Sequence, residues 1–288
     1  MLSILEFKKK NYYKIDSVDL DILISLIINK PREFILTHPE YQLNKLEENK
    51  LKKLIKKRIA GEPIAYLIKE KEFYGLKFFV NKNVLVPRPE TELITDEVLK
   101  IIRPKTKTII IDVGTGSGCI IISIARTIKS KYKNLNNFNF FAIDISNKAL
   151  KVAAKNSGLH KLKNEIVFLR GDLLKPMKNI IKFNNIKTII TANLPYLTPK
   201  QIKKSFSIQA EPRLALDGGR DGLKYYRQLF EQVKKAHLNN LYILIEIDPS
   251  QTQKIKKIIP NFFPQAKFKI IKDLAGFNRI VVVTLKQE

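Results

Sequence analysis

Cysteine and histidine are scarce in this 288-residue chain, and its acids are few beside its bases. Its single cysteine, Cys119, excludes an internal disulfide and a multi-thiolate metal site, which fits a reducing compartment and makes the cytoplasm the expected location. The three histidines, His38, His160 and His237, stand apart with no acid or nucleophile in register, so they are read as surface residues and no catalytic histidine is expected. Long apolar runs are also missing. Val18–Ile28 is interrupted by Asp19 and Asp21 and is too short to span a bilayer, and the opening MLSILEFKKK places its apolar residues ahead of its charges, the reverse of a signal peptide. No membrane partner is expected. Against 53 Lys and Arg stand only 27 Asp and Glu, a formal net charge of +26. Such a field attracts phosphate whatever the fold, yet the lysines are spread along the whole chain beside abundant Ile and Asn, as AT-rich coding would produce. A solvated lysine surface is the plainer reading, with nucleic acid at most an indirect partner.

What is present begins with length and apolar content, enough for one large domain and a small one. From Asp16 to about Glu70 the periodicity is helical. Asp16 or Ser17 caps a helix through Ile28, Pro31 stops it, and Leu43–Ala60 is amphipathic with a lysine face. These helices carry no catalytic constellation, so residues 1–71 are expected to form a small helical domain that holds a partner. Glu72–Val86 switches to aromatic and β-branched alternation broken at Asn81–Asn83, which reads as a β-hairpin linker. Residues 87–288 then form the large domain, entered through PRPETE, Pro87–Glu92, whose Thr91 and Glu92 begin a helix through Lys100.

The large domain is organised around TIIIDVGTGSGCIII, Thr108–Ile122. A β-branched run ends at Asp112, passes glycines 114, 116 and 118, and resumes with helical spacing: strand, tight loop, helix. A nicotinamide fingerprint would read G-x-G-x-x-G rather than G-x-G-x-G. Phe138–Asp144 is a second strand ending in an acid, one helix and one crossover later, where the Asp144 carboxylate can accept both hydroxyls of a ribose. Glu165–Asp172 repeats the pattern, with Asp172 placed to receive the exocyclic amine of an adenine. Two carboxylates would repel a pyrophosphate, so S-adenosylmethionine is a better occupant than a dinucleotide.

Strand four, Lys187–Ala192, runs into Asn193-Leu194-Pro195-Tyr196. Pro195 ends the ladder, leaving the Asn193 side chain and the Leu194 carbonyl as acceptors at the sheet edge. Such a pair suits a planar NH₂ group whose nitrogen is to be turned toward a methyl donor. Gly222–His237 reads as a helix, Tyr242–Ile247 as a buried fifth strand, Gln251–Ile259 as a helix, and Lys267–Ile271 with Arg279–Leu285 as a final antiparallel pair. Glu246, the one acid on strand five, is read as structural. The expected fold is α/β: a seven-stranded, mostly parallel, Rossmann-like methyltransferase sheet with a small N-terminal helical domain.

Taken together, the glycine loop, Asn-x-Pro-Tyr after strand four, PRPETE ahead of strand one, and EPRLALDGGRDGL at 211–223 resemble the release-factor glutamine methyltransferase family, often called HemK or PrmC, over essentially the whole chain. The resemblance implies S-adenosylmethionine-dependent methylation of the side-chain amide of the glutamine in the Gly-Gly-Gln loop of peptide-chain release factors, by a monomer. It places cofactor contacts at Gly114, Thr115, Gly116, Ser117, Gly118, Asp144, Asp172, Leu173 and Asn193, and substrate contacts at Asn193, Leu194, Pro195 and Tyr196. Leu194 stands where the family usually has proline. Two other readings compete: methylation of adenine amino groups in DNA or RNA, favoured by charge and by the tetrapeptide, and a non-catalytic RNA- or ribosome-binding module that keeps the fold.

Overall fold

The computed structural model describes residues 1–178, 186–236, 238 and 240–286, which divide into two compact units: residues 1–70 with 205–210, and residues 71–204 with 211–288. In the first unit, β1 (Leu2–Ser3) leads into α1 (Ile4–Lys9), capped reciprocally by Ser3 and Glu6, then α2 (Ser17–Ile28), capped by Asp16. There follow α3 (Arg32–Thr37), β2 (Gln42–Leu43), α4 (Lys45–Ile59), with Asn44 and Glu47 as its capping box, and α5 (Ile64–Ile68). The unit is not purely helical, since β1 and β2 pair antiparallel. Its core gathers Ile4, Phe7, Leu20, Ile24, Leu51 and Ile55, one apolar stripe from each of α1, α2 and α4. Leu46 lies outside that stripe and is 63% exposed.

β3 (Glu70–Phe73) and β4 (Leu76–Phe79) form the hairpin. Its turn is Tyr74–Gly75 rather than Asn81–Asn83: both residues have positive φ, 53° and 66°, the backbone of a tight two-residue hairpin loop. The Glu92 carboxylate accepts the Tyr74 N–H at 2.7 Å and Asp96 accepts its hydroxyl at 2.8 Å, which holds a tyrosine in a conformation it rarely adopts.

After α6 (Glu92–Ile101) the second unit alternates strand and helix: β5 (Thr108–Val113), α7 (Cys119–Tyr132), β6 (Phe138–Asp144), α8 (Asn147–Leu159), β7 (Ile166–Arg170), β8 (Lys187–Ala192), α9 (Pro199–Lys204), α10 (Lys224–Ala236), β9 (Asn240–Glu246), α11 (Thr252–Phe262), β10 (Lys267–Lys272) and β11 (Asn278–Lys286). His237, expected as a surface residue at a helix end, lies outside the described residues. The seven strands run in the order β10-β11-β9-β8-β5-β6-β7, with β5 to β9 parallel and β11 antiparallel to both neighbours. Strand alternation sends Ile109, Ile111 and Val113 into one core with Tyr226, Leu229, Phe230 and Val233 of α10, and Ile110 into the other with Ile121, Ile124 and Ile128 of α7. A strand covered by helices on both faces reads as a continuous apolar run, which is why TIIIDV is buried throughout. The chain reverses its winding between β5 and β8, so their carboxyl ends open a crevice.

One polar side chain is built into this packing. Asn156 of α8, fully buried, accepts the Phe79 N–H at 2.7 Å and donates to the carbonyls of Phe79 at 3.0 Å and Ser117 at 2.8 Å.

Candidate active site

A cleft of about 280 Å³ sits over the carboxyl ends of β5, β6 and β8. Its wall includes Gly114, Thr115, Gly116, Ser117, Asp144, Asp172, Leu173, Asn193, Leu194 and Pro195. Gly118 and Tyr196 are not part of that wall: Gly118 caps α7 against Ala153 of α8, and Tyr196 packs against the core with its hydroxyl on Glu246.

The glycine loop begins with a step that only glycine makes cheaply. Gly114 has φ +72°, and a Cβ there would lie 2.8 Å from Leu194 Cδ2. The loop is tied down by Asp112, whose fully buried carboxylate accepts the Thr115 hydroxyl at 2.6 Å and the Thr191 hydroxyl at 2.8 Å. Burial pushes its pKa up to about 6 against the pull of those two donors. Asp112 therefore fastens the loop to β8 and does not meet a ligand. At the end of β6, Asp144 accepts the N–H of Gly116 at 3.0 Å and of Ser146 at 2.8 Å. Its pKa is raised by burial, partly offset by these backbone donors. Each oxygen has further acceptor capacity and the residue lines the cleft, which is what a ribose diol requires. Asp172 is more open and pairs with Lys175 at 2.6 Å. Leu173, beside it, takes a left-handed φ of 54° and is 7% exposed, so its aliphatic side chain covers the cleft floor from a strained backbone.

At the other end of the cleft the acceptor turn is held from behind. Asn193 Nδ2 donates to the Thr91 hydroxyl at 3.0 Å and to Glu246 Oε2 at 3.1 Å; Thr91 donates to the same oxygen at 2.5 Å, and the Tyr196 hydroxyl to Oε1 at 2.9 Å. Thr91 Oγ1 and Glu246 Oε2 lie together on one side of Nδ2 and hold the NH₂ end of the amide, so Oδ1 is the acceptor Asn193 has left to offer. The Tyr226 hydroxyl, fully buried, donates to the Glu246 carbonyl and stands 3.4 Å from the Leu194 carbonyl. Burial raises the Glu246 carboxyl and, with the Glu246 charge beside it, the Tyr196 phenol. EPRLALDGGRDGL cradles the same turn. Gly218 N–H donates to the Leu197 carbonyl at 2.8 Å, and Gly222, φ +74°, comes so near the Tyr196 carbonyl that a Cβ would sit 2.1 Å from it. Glu211 accepts the Val86 N–H at 2.9 Å and pairs with Arg88, so PRPETE and EPRLAL lock together.

Thr91, Glu246 and Tyr226 are the site residues that sequence reasoning did not place. A lone acid in YILIEI was the one available signal, and its partner Thr91 lies 155 positions away. Among the described residues no cluster of three or more His, Cys, Asp or Glu is arranged to hold a metal.

A glycine loop after β5 and an acid at the end of β6, in this sheet order, fit a methyltransferase domain, and residues 104–235 match the methyltransferase domain family. Residues 6–68 match the PrmC N-terminal domain. Release factor glutamine methyltransferase from Thermodesulfovibrio yellowstonii is 38% identical over 244 residues, 81% of this chain and 80% of the relative. That of Dictyoglomus turgidum is 34% identical over 273 residues, 92% and 90% of the two chains. The chain belongs to the release factor glutamine methyltransferase family, and it is a methyltransferase. In fold it is similar to the catalytic domain of hMettl16, solved in complex with MAT2A 3'UTR hairpin 1, with a TM-score of 0.58 at 13% identity over 92% of this chain and 91% of that one.

Proposed function

We propose that this protein methylates the side-chain amide of the glutamine in the Gly-Gly-Gln motif of peptide-chain release factors, with S-adenosylmethionine as donor, in the cytoplasm. The observation that carries the reading is that one cleft joins the Gly114–Ser117 loop and Asp144 to the Asn193–Pro195 turn. The residues fit the cofactor: a cradle that a Cβ on Gly114 would fill, a carboxylate with free lone pairs for a diol, and a second carboxylate for an amine. When bound, it supplies an electrophilic methyl group on a sulfonium.

The chain's own residues supply alignment. An amide nitrogen is a weak nucleophile, and among the described residues the groups bonded to Asn193 are Thr91 and Glu246, so the rate comes from positioning. Asn193 Oδ1 and the Leu194 carbonyl each accept one hydrogen of the substrate amide and turn its nitrogen toward the cofactor end; the proton then leaves to water. Pro195 keeps the turn extended, and Tyr196, off the cleft wall, anchors the turn through its hydroxyl on Glu246. Residues 1–70 form the substrate-binding domain.

The test is methylation with labelled cofactor of intact release factor, of RNA and of DNA, with the label located by mass spectrometry. Label on the Gly-Gly-Gln glutamine is expected, and label on adenine would replace this reading. A chain lacking residues 1–70 should retain cofactor binding by calorimetry but lose most of its activity on intact release factor.

A further inference from the structure

We propose that Glu246 is a positioning residue, fixing which end of the Asn193 amide faces the cleft. The inference deepens the proposed function, since it is the substrate amide that meets that end. An asparagine amide has two nearly isosteric ends, an acceptor and a double donor, and rotation of the side chain by half a turn exchanges them. Only the acceptor end orients a substrate NH₂. Nothing in Asn193 itself selects it, so the surroundings must.

They do so through one carboxylate. Glu246, 1% exposed at the end of β9, directs Oε2 at both the Thr91 hydroxyl, 2.5 Å, and Asn193 Nδ2, 3.1 Å. Thr91 spends its only hydrogen on Glu246, so toward Asn193 its oxygen is purely an acceptor, and it shares the Asn193 NH₂ with Glu246 Oε2, at 3.0 Å. A flipped Asn193 would press its carbonyl oxygen against two acceptors whose one shared hydrogen is already spent. Oε1 meanwhile accepts the Tyr196 hydroxyl at 2.9 Å, so the two ends of the acceptor turn are set by the two oxygens of one group. Asn193 directly follows β8, whose last residue Ala192 pairs with Ile245, so the β8–β9 ladder itself brings Glu246 to this point. Its contact with the substrate is none; it acts through Asn193.

Two variants separate orientation from mere stability. Glu246→Met keeps the length and removes both acceptors. Glu246→Gln keeps one oxygen for Thr91 and Asn193 while its NH₂ donates to the Tyr196 oxygen, so the Asn193 orientation survives. In protein labelled with ¹⁵N-asparagine, the Asn193 side-chain NH₂ pair should be protected from exchange in wild type and in Glu246→Gln, and unprotected in Glu246→Met. Turnover on release factor should fall about a hundredfold in Glu246→Met, the cost of a misplaced reacting group, with cofactor affinity little changed, and should stay within about tenfold of wild type in Glu246→Gln, one ordinary hydrogen bond's worth. In an Asn193→Ala background, Glu246→Met should cost little more. An unprotected NH₂ pair in folded wild type, a Glu246→Gln enzyme as poor as Glu246→Met, or full multiplicative loss in the double variant would each overturn the proposal. If wild type binds cofactor yet leaves release factor unmodified, the proposed function falls, while the NH₂ exchange still decides the role of Glu246.

Discussion

The two ends of the cleft solve the same problem, holding a polar ligand at a sheet edge, with opposite means. At the β5–β6–β7 end the ligand-facing groups are carboxylates, Asp144 and Asp172, partly open and steadied by backbone N–H groups or a surface lysine. At the β8–β9 end they are neutral acceptors, Asn193 and the Leu194 carbonyl, and the carboxylate of Glu246 is buried behind them with both oxygens engaged. Charge binds strongly and suits an end where affinity is needed. A neutral acceptor on a rigid backing adds little to binding, but it fixes direction, which matters where a bond must form. The difference teaches that a buried acid in such a site need not be a base; it can be the fixture that keeps a neutral group correctly turned.

If the division is right, the largest effect belongs to the neutral end. Asn193→Ala should lower turnover on release factor by about 10²–10³, as losing one aligned polar contact in a transition state does, with calorimetric cofactor affinity nearly unchanged. Equal loss of both would dissolve the contrast.

Asp112, which fastens the two ends together, gives the next. Its folded pKa near 6 lies above the ordinary carboxylate value, so the stability it contributes is full below about pH 4 and is lost as pH rises to about 6. The melting advantage of wild type over Asp112→Asn should therefore shrink across that window by on the order of 3 kcal/mol and stay level above it. A pH-independent difference would mean that burial does not govern this group.

At the charged end, Asp144→Ala should weaken cofactor binding about tenfold to a hundredfold, as expected for hydrogen bonds to a charged group, while turnover at saturating cofactor falls less. Calorimetry showing unchanged affinity removes Asp144 from the site. Smallest is Leu194→Pro. The substitution keeps the carbonyl and stiffens the turn, and its one cost is the packing of Leu194 Cδ2 over Gly114. Near-normal turnover is expected, and a loss as severe as that of Asn193→Ala would show that the side chain, not the carbonyl, is what matters there.

Much of this was readable from residue order, for identifiable reasons. β5, β6 and β8 could be bounded because each β-branched run stops at a glycine, an acid before a polar turn, or Pro195, signals local to the strand. The seven-stranded sheet followed from that alternation. The hairpin was misplaced because Asn-Lys-Asn is a stronger turn signal than Tyr-Gly, and what overrides it, Glu92 and Asp96, comes some twenty residues later. β1 and β2 were missed because two-residue strands have no period to detect. The backing of Asn193 was out of reach for a related reason. Thr91 looked like a helix start and Glu246 like an isolated acid, and nothing in either neighbourhood announces that the fold joins them.

Asn156 ties two segments that are otherwise far apart, bonding both Phe79 of the hairpin and Ser117 of the glycine loop. In the language of local unfolding, the two cannot open independently: freeing the hairpin strand strands a buried amide, and that amide releases the loop in the same event. The hairpin is thus part of the cooperative unit that includes the cofactor loop, and the Phe79 amide should exchange with solvent at the pace of the loop rather than at the pace of the exposed turn five residues before it.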